Sequence, residues 1–68
     1  MEEFKIKDEL ILLNQLLKAM GWCETGGDAN AAIEAGAVKV NKKKETRKRN
    51  KLKAGDIIEF EKNRVLLK

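Results

Sequence analysis

Histidine, proline and tyrosine are absent from this 68-residue chain, and cysteine occurs once, at Cys23. Without histidine the commonest general base is missing, and one thiol cannot complete the N/S ligand set of a structural zinc site. A single cysteine also excludes an intramolecular disulfide. Cys23 lies between Trp22 and Glu24; an acid next door opposes thiolate formation, so Cys23 reads as a small packing residue near a helix end rather than a nucleophile. The carboxylates Glu2, Glu3, Asp8, Glu9, Glu24, Asp28 and Glu34 show no paired spacing suited to a shared proton. No enzymatic activity, cofactor or small-molecule substrate is expected. The only aromatics, Phe4, Trp22 and Phe60, stand where core or rim packing suits them, which leaves no platform for stacking many rings. No apolar stretch approaches the ~20 residues of a membrane-spanning helix, and MEEFKIKDE lacks the basic start and small-residue cleavage site of a signal peptide. The expected location is the cytoplasm, away from membranes.

What the chain does have is positive charge in one place. Residues 42–53 (KKKETRKRNKLK) carry eight basic side chains and one acid, Glu45, a local net charge of +7 in a chain whose total is +4. Residues 1–41 hold four lysines against seven acids, and residues 54–68 hold three basic residues against three acids. A field concentrated on one segment and opposed elsewhere suits a molecule with one face for a polyanion. Such runs are often solvated tails, but this one leads through Leu52, Ala54, Gly55 and Asp56 into Ile57, Ile58 and Phe60, so it sits inside a fold.

At 43% apolar and 38% charged residues, the chain has enough apolar surface for one small globular domain over residues 1–68, of modest stability. Phe4 and Ile6 alternate with charged residues as in a short edge strand. Leu13, Leu16, Leu17 and Met20 recur at helical spacing, which predicts a first helix over residues 15–20, capped by Asn14 and ended by Gly21, with Ile11 and Leu13 stapling its entry. Thr25 and Asp28 form a capping-box pattern before a second helix over residues 27–35, closed by a left-handed Gly36. Val38 and Val40 end a strand at the turn residue Asn41, where Lys42 stands in place of the glycine that would make the strongest hairpin signal. A strand over residues 57–61, a turn at Lys62 and Asn63, and a strand over residues 64–67 complete the chain. The implied class is α+β, two short helices on one face of a small, mostly antiparallel sheet.

Several of these motifs together resemble a known family. Leu13-Asn14-Gln15-Leu16-Leu17-Lys18 with Gly21, Thr25-Gly26-Gly27 with Ala29, Ile33 and Gly36, Val38-x-Val40-Asn41, and Lys51-Leu52-x-x-Gly55-Asp56-x-Ile58 are similar to the RNA-binding domain first described in ribosomal protein S-four. Glu45-Thr46-Arg47-Lys48-Arg49 and the Thr-Gly-Gly entry to the second helix resemble its small stand-alone bacterial members, the YbcJ-type proteins. The resemblance spans about residues 3–67. It implies an alpha-L motif, two helices and the following loop, that grips structured RNA, commonly ribosomal or tRNA-like, and no catalytic domain at this size; a monomer is expected. A role in ribosome assembly or translation is inherited from the resemblance alone.

Carried over by position, the implied contacts are Lys18, Gly26, Gly27, Arg47, Lys48 and Lys51. Physical chemistry adds to them. Gly26 and Gly27 precede a helix whose free N–H groups can receive a phosphate, although a plain helix-entry turn would look the same. Lys18 in a last helical turn favours the helix dipole as readily as it contacts RNA. Arg47 and Arg49 can fork across phosphate oxygens, while Lys42, Lys43, Lys44, Lys48, Lys51 and Lys53 act as adaptable point charges. Asn30 takes the place of the family's usual lysine, at a position expected to be exposed near the start of the second helix. With few aromatics, the expected mode is recognition of shape and phosphates in folded RNA. An adaptor that meets an acidic protein is the competing reading.

Overall fold

A computed structural model describes residues 1–68. The elements run β1 (Glu2–Phe4), β2 (Ile11–Leu12), α1 (Leu13–Ala19), α2 (Gly26–Glu34), β3 (Val38–Val40), β4 (Lys43–Lys44), β5 (Lys51–Leu52), β6 (Ile57–Phe60) and β7 (Asn63–Leu67). Five strands form one sheet in the order β1-β7-β6-β3-β4, and β2 pairs with β5 in a separate antiparallel ribbon. Only β1 against β7 is parallel. The α+β arrangement expected from the sequence is thus present, and the expected edge strand runs over Glu2–Phe4, leaving Ile6 outside it. Neither helix is long and apolar enough to cross a membrane.

Leu13, Leu16 and Leu17 of α1 and Ala29 and Ile33 of α2 are buried, as the three-and-four spacing requires. They join Val38, Leu52, Ile58, Phe60, Val65, Leu67 and Cys23 in one core. Each fully buried leucine contributes roughly 1.5–3 kcal/mol, so two helices too short to persist alone are held by this layer. Small Ala29 lets the helices approach. Trp22 stacks near Phe60, with ring centroids 6.4 Å apart. The Cys23 thiol is pushed up by burial first and by Asp28 and Glu61 after it, in keeping with a packing role.

Several boundaries differ from expectation. The first helix begins at Leu13, not Gln15, so Asn14 is helical and caps nothing. Leu12 stands at the cap position without a side-chain acceptor, and the Gln15 side chain accepts its backbone N–H at 3.2 Å. Ile11 pairs across to Leu52 in the β2-β5 ribbon. The second helix begins at Gly26, and Thr25 Oγ1 accepts the Asp28 N–H at 3.0 Å. Gly36 is left-handed at φ +80°, as expected. The last hairpin turns at Glu61 and Lys62, one residue earlier than expected, with Asn63 already paired to Phe60.

The β3-β4 turn settles the question that Lys42 raised. Asn41 at φ +52° and Lys42 at φ +71° are both left-handed, as a type I′ hairpin requires, because its twist matches that of the strands. Asparagine tolerates this conformation, but a lysine bears a steric cost of roughly 1 kcal/mol. Lys42→Gly should therefore raise the melting temperature by a few degrees, about 0.5–1 kcal/mol of stability after glycine's own entropic cost. Thermal unfolding by circular dichroism checks this; an unchanged or lower midpoint would show that the strain is relieved elsewhere.

Candidate nucleic-acid interface

Residues 42–53 do not form one extended run. They make the far side of the β3-β4 hairpin, a tight turn in which Asn50 N–H donates to Arg47 C=O at 3.1 Å, and then strand β5. This segment is fastened to the helices through its backbone. The first free N–H groups of α1, on Leu13 and Asn14, donate to the carbonyls of Asn50 at 2.9 Å and Lys48 at 3.0 Å. Those donors need partners wherever a helix begins. Here the basic segment supplies them, and in return it is held in one position.

Side chains complete the attachment. Lys48 Nζ lies 3.5 Å from Glu34 at the end of α2. The aliphatic stem of Lys44 lies over Gly36, where an added Cβ would meet Lys44 Cδ at 2.9 Å. At the far end, buried Asp56 accepts the Lys53 N–H at 3.0 Å and the Asn41 amide at 3.1 Å, while Asn41 Oδ1 accepts the Ile57 N–H at 2.9 Å. Burial raises the Asp56 pKa, but the Lys53 N–H, the Asn41 amide and the Lys53 ammonium outweigh it and hold the carboxyl below its usual range.

Glu45 organises the middle of the segment. Its Oε2 accepts the Arg47 backbone N–H and Nε–H, each at 2.9 Å, and its Oε1 accepts from Arg47 Nη2 at 3.1 Å and Asn50 Nδ2 at 2.9 Å. The Arg47 side chain, then its backbone N–H, lower the Glu45 carboxyl to about 2 against the opposing effect of burial. Arg47, Arg49, Asn50 and Lys51 line a shallow depression of about 380 Å³ with no carboxylate in its wall. Of the eight cations, Arg47, Lys48 and Lys53 have ion-pair partners; Lys42, Lys43, Lys44, Arg49 and Lys51 have none, which leaves their charge for an external anion.

The eleven residues singled out from the sequence fall into two groups. Eight lie on the basic segment. Lys18 is exposed in the last turn of α1, and Gly26 and Gly27 open α2. The segment docks at the start of α1 and the end of α2, so Gly26 and Gly27 stand roughly 12 Å away along α2, at its opposite end. Glu45 and Asn50 are not among those eleven. That Glu45 is the only acid in the run was the signal that could have found it.

Residues 4–68 match the S4 domain family. The chain belongs to that family. Over 48 residues, 71% of this chain and 69% of the relative, it is 50% identical to the "Putative RNA-binding protein YbcJ" of Escherichia coli (strain K12). The "Uncharacterized protein YbcJ" of Shigella flexneri is similar to the same extent. The solution structure of YbcJ from E. coli, described as revealing an alpha-L motif involved in RNA-binding, matches with a TM-score of 0.74 at 41% identity, covering 98% of this chain and 86% of that one.

One expectation about this S4 domain is overturned. Asn30 is half-buried rather than exposed, and its Oδ1 accepts from Asn14 Nδ2 at 3.0 Å. Asn14 Oδ1 is buried without a donor, so Asn14 depends on Asn30 for its one side-chain hydrogen bond. Asn30→Lys would leave the half-buried Asn14 amide without a partner and place an ammonium at the helix contact. Stability should fall by about 1–3 kcal/mol, read as a lower denaturation midpoint in urea; an unchanged midpoint would mean that the Asn14-Asn30 bond contributes nothing.

The two lowered carboxylates of the S4 domain set its acid response. A folded-state pKa below the unfolded one gives stability that is complete above the unfolded value and is lost as pH falls through the folded value. For Glu45 that window runs from about pH 4.5 down to about 2, and Asp56 adds a loss of the same sign. Melting temperature followed across this window should drop, and Glu45→Gln should flatten part of the slope. Identical slopes in both proteins would show that the Glu45 contacts do not stabilise the fold.

Proposed function

We propose that this protein binds structured RNA, ribosomal or tRNA-like, through the surface of residues 42–53, by contacts to phosphates and to helical shape. A role in ribosome assembly or translation follows the same reading. The observation that carries it is the rigid seating of a +7 segment by two backbone hydrogen bonds to α1. Charges at fixed separations can match a regular array of phosphates, whereas a flexible tether must be ordered first, at ~1 kcal/mol or more per residue. The name of the E. coli relative and the motif described in its solution structure support the same ligand class.

Lys42, Lys43, Lys44, Arg49 and Lys51 are the proposed primary phosphate contacts, with Lys48 and Lys53 adding to the field while partnered within the protein and Arg47 turned to Glu45. Lys18, Gly26 and Gly27 would serve only an RNA large enough to span both ends of the helix pair. The function proposed is binding without catalysis, by a monomer.

Fluorescence anisotropy with a labelled RNA hairpin, a single strand of the same length and an excised peptide of residues 42–53 tests the reading. The folded protein should favour the hairpin, its log affinity should fall steeply and linearly with log salt, and the peptide should bind about tenfold or more weakly. Equal affinities for hairpin, single strand and peptide would overturn recognition by a folded surface. Displacement by polyglutamate as effective as by RNA would favour an adaptor for an acidic protein.

A further inference from the structure

Glu45 is an anomaly for a surface meant to bind phosphate: the one acid among twelve residues, at the centre of the positive field. Its side chain is 14% exposed, whereas that of Arg47 is 76% exposed. The carboxylate touches the turn at three places, the Arg47 backbone, the Arg47 guanidinium and the Asn50 amide. The same turn carries the Lys48 and Asn50 carbonyls that dock on α1. Its flank presents Arg49 and Lys51 around the depression that they share with Arg47 and Asn50.

The Nε and Nη2 edge of a guanidinium is one of the two edges that can hold a phosphate in a two-bond fork, and in Arg47 that edge already holds Glu45. We propose that Glu45 and Arg47 form a clasp that positions the turn, and that Arg49 and Lys51, with Asn50 between them, make the phosphate contact there. Glu45 is on this account a positioning residue whose negative charge is matched internally, and Arg47 serves the clasp before the ligand. The proposal rests on the RNA-binding reading above and deepens it by separating residues that touch RNA from residues that aim them. The two carboxylate oxygens divide the work: Oε2 closes the turn onto the Arg47 backbone, and Oε1 bridges Arg47 to Asn50.

The test exploits a difference in sign. On charge alone, removing an acid from a cationic surface strengthens RNA binding, equally for Glu45→Ala and Glu45→Gln. On the clasp, both weaken it: Glu45→Ala by about tenfold, and Glu45→Gln by less, because an amide oxygen still accepts from the turn. Affinity for a labelled RNA hairpin is measured by anisotropy over a salt series, at a temperature where circular dichroism shows each variant folded. Arg47→Ala should weaken binding with the salt slope unchanged, and Arg49→Ala should lower that slope by about one. If Glu45→Ala does not fold, Glu45→Gln and the two arginine slopes decide the matter. Stronger binding by both Glu45 variants, a lower melting temperature with unaltered affinity, or a slope reduced by about one in Arg47→Ala would each overturn the positioning role while leaving RNA binding intact. A wild-type protein that binds no hairpin at any salt would overturn the RNA reading, and this proposal with it.

Discussion

The N–H groups that open α1 have to find acceptors, and the rest of the surface is arranged around where they find them. Leu12 offers no side-chain oxygen, and the first turn of α1 carries no acid. The acceptors are carbonyls of Lys48 and Asn50, contributed from a segment more than thirty residues further along the chain. One pair of backbone hydrogen bonds thereby joins the helical layer, the β2-β5 ribbon and the cationic turn. It also puts the positive end of the helix dipole, about half a unit charge, beside a segment of net charge +7. The two fields add on one side of the molecule instead of cancelling.

Crowding so many cations has a cost in self-repulsion, and the fold limits it from within. Glu34, Glu45 and Asp56 each take one cation of the segment. Glu45 and Asp56 do so from recessed positions, their side chains 14% and 10% exposed, so the acids moderate the field at its base while the outer surface stays cationic. The Lys48-Glu34 pair, exposed on both sides, contributes little to stability; all three pairs act on geometry, since they fix where the remaining ammonium and guanidinium groups stand.

Much of this was legible in the chain. Leu16, Leu17 and Ile33 declared the helix faces, Val38 and Val40 a strand of the sheet, and the run from Lys42 the cationic side. What escaped were strands β2, β4 and β5, two residues each, too short to show any period. Asn14 departs from the expected cap for a physical reason: asparagine before an apolar run signals a cap when the helix must satisfy its own first donors. Here a distant loop satisfies them, and Asn14 is free to lie inside the helix and bond Asn30. Asn30 was misplaced with it, because an asparagine on a helix gives no sign of a partner sixteen residues away. The Glu45 contacts are local in sequence, but a carboxylate amid lysines reads as mere dilution of charge until its hydrogen bonds are seen.

The two borders of the five-stranded sheet carry opposite charge. At one border β4 consists of Lys43 and Lys44 alone, and at the other β1 begins with Glu2 and Glu3. Unpaired strand borders invite further strands from other molecules, and short, charged edges are the usual deterrent. Two copies approaching lysine border to lysine border, or glutamate border to glutamate border, repel each other, while against a border of opposite charge it is the two-residue length of β4 that leaves few backbone groups for an added strand. The lysines of β4 therefore guard that border against its own like as well as adding to the positive field.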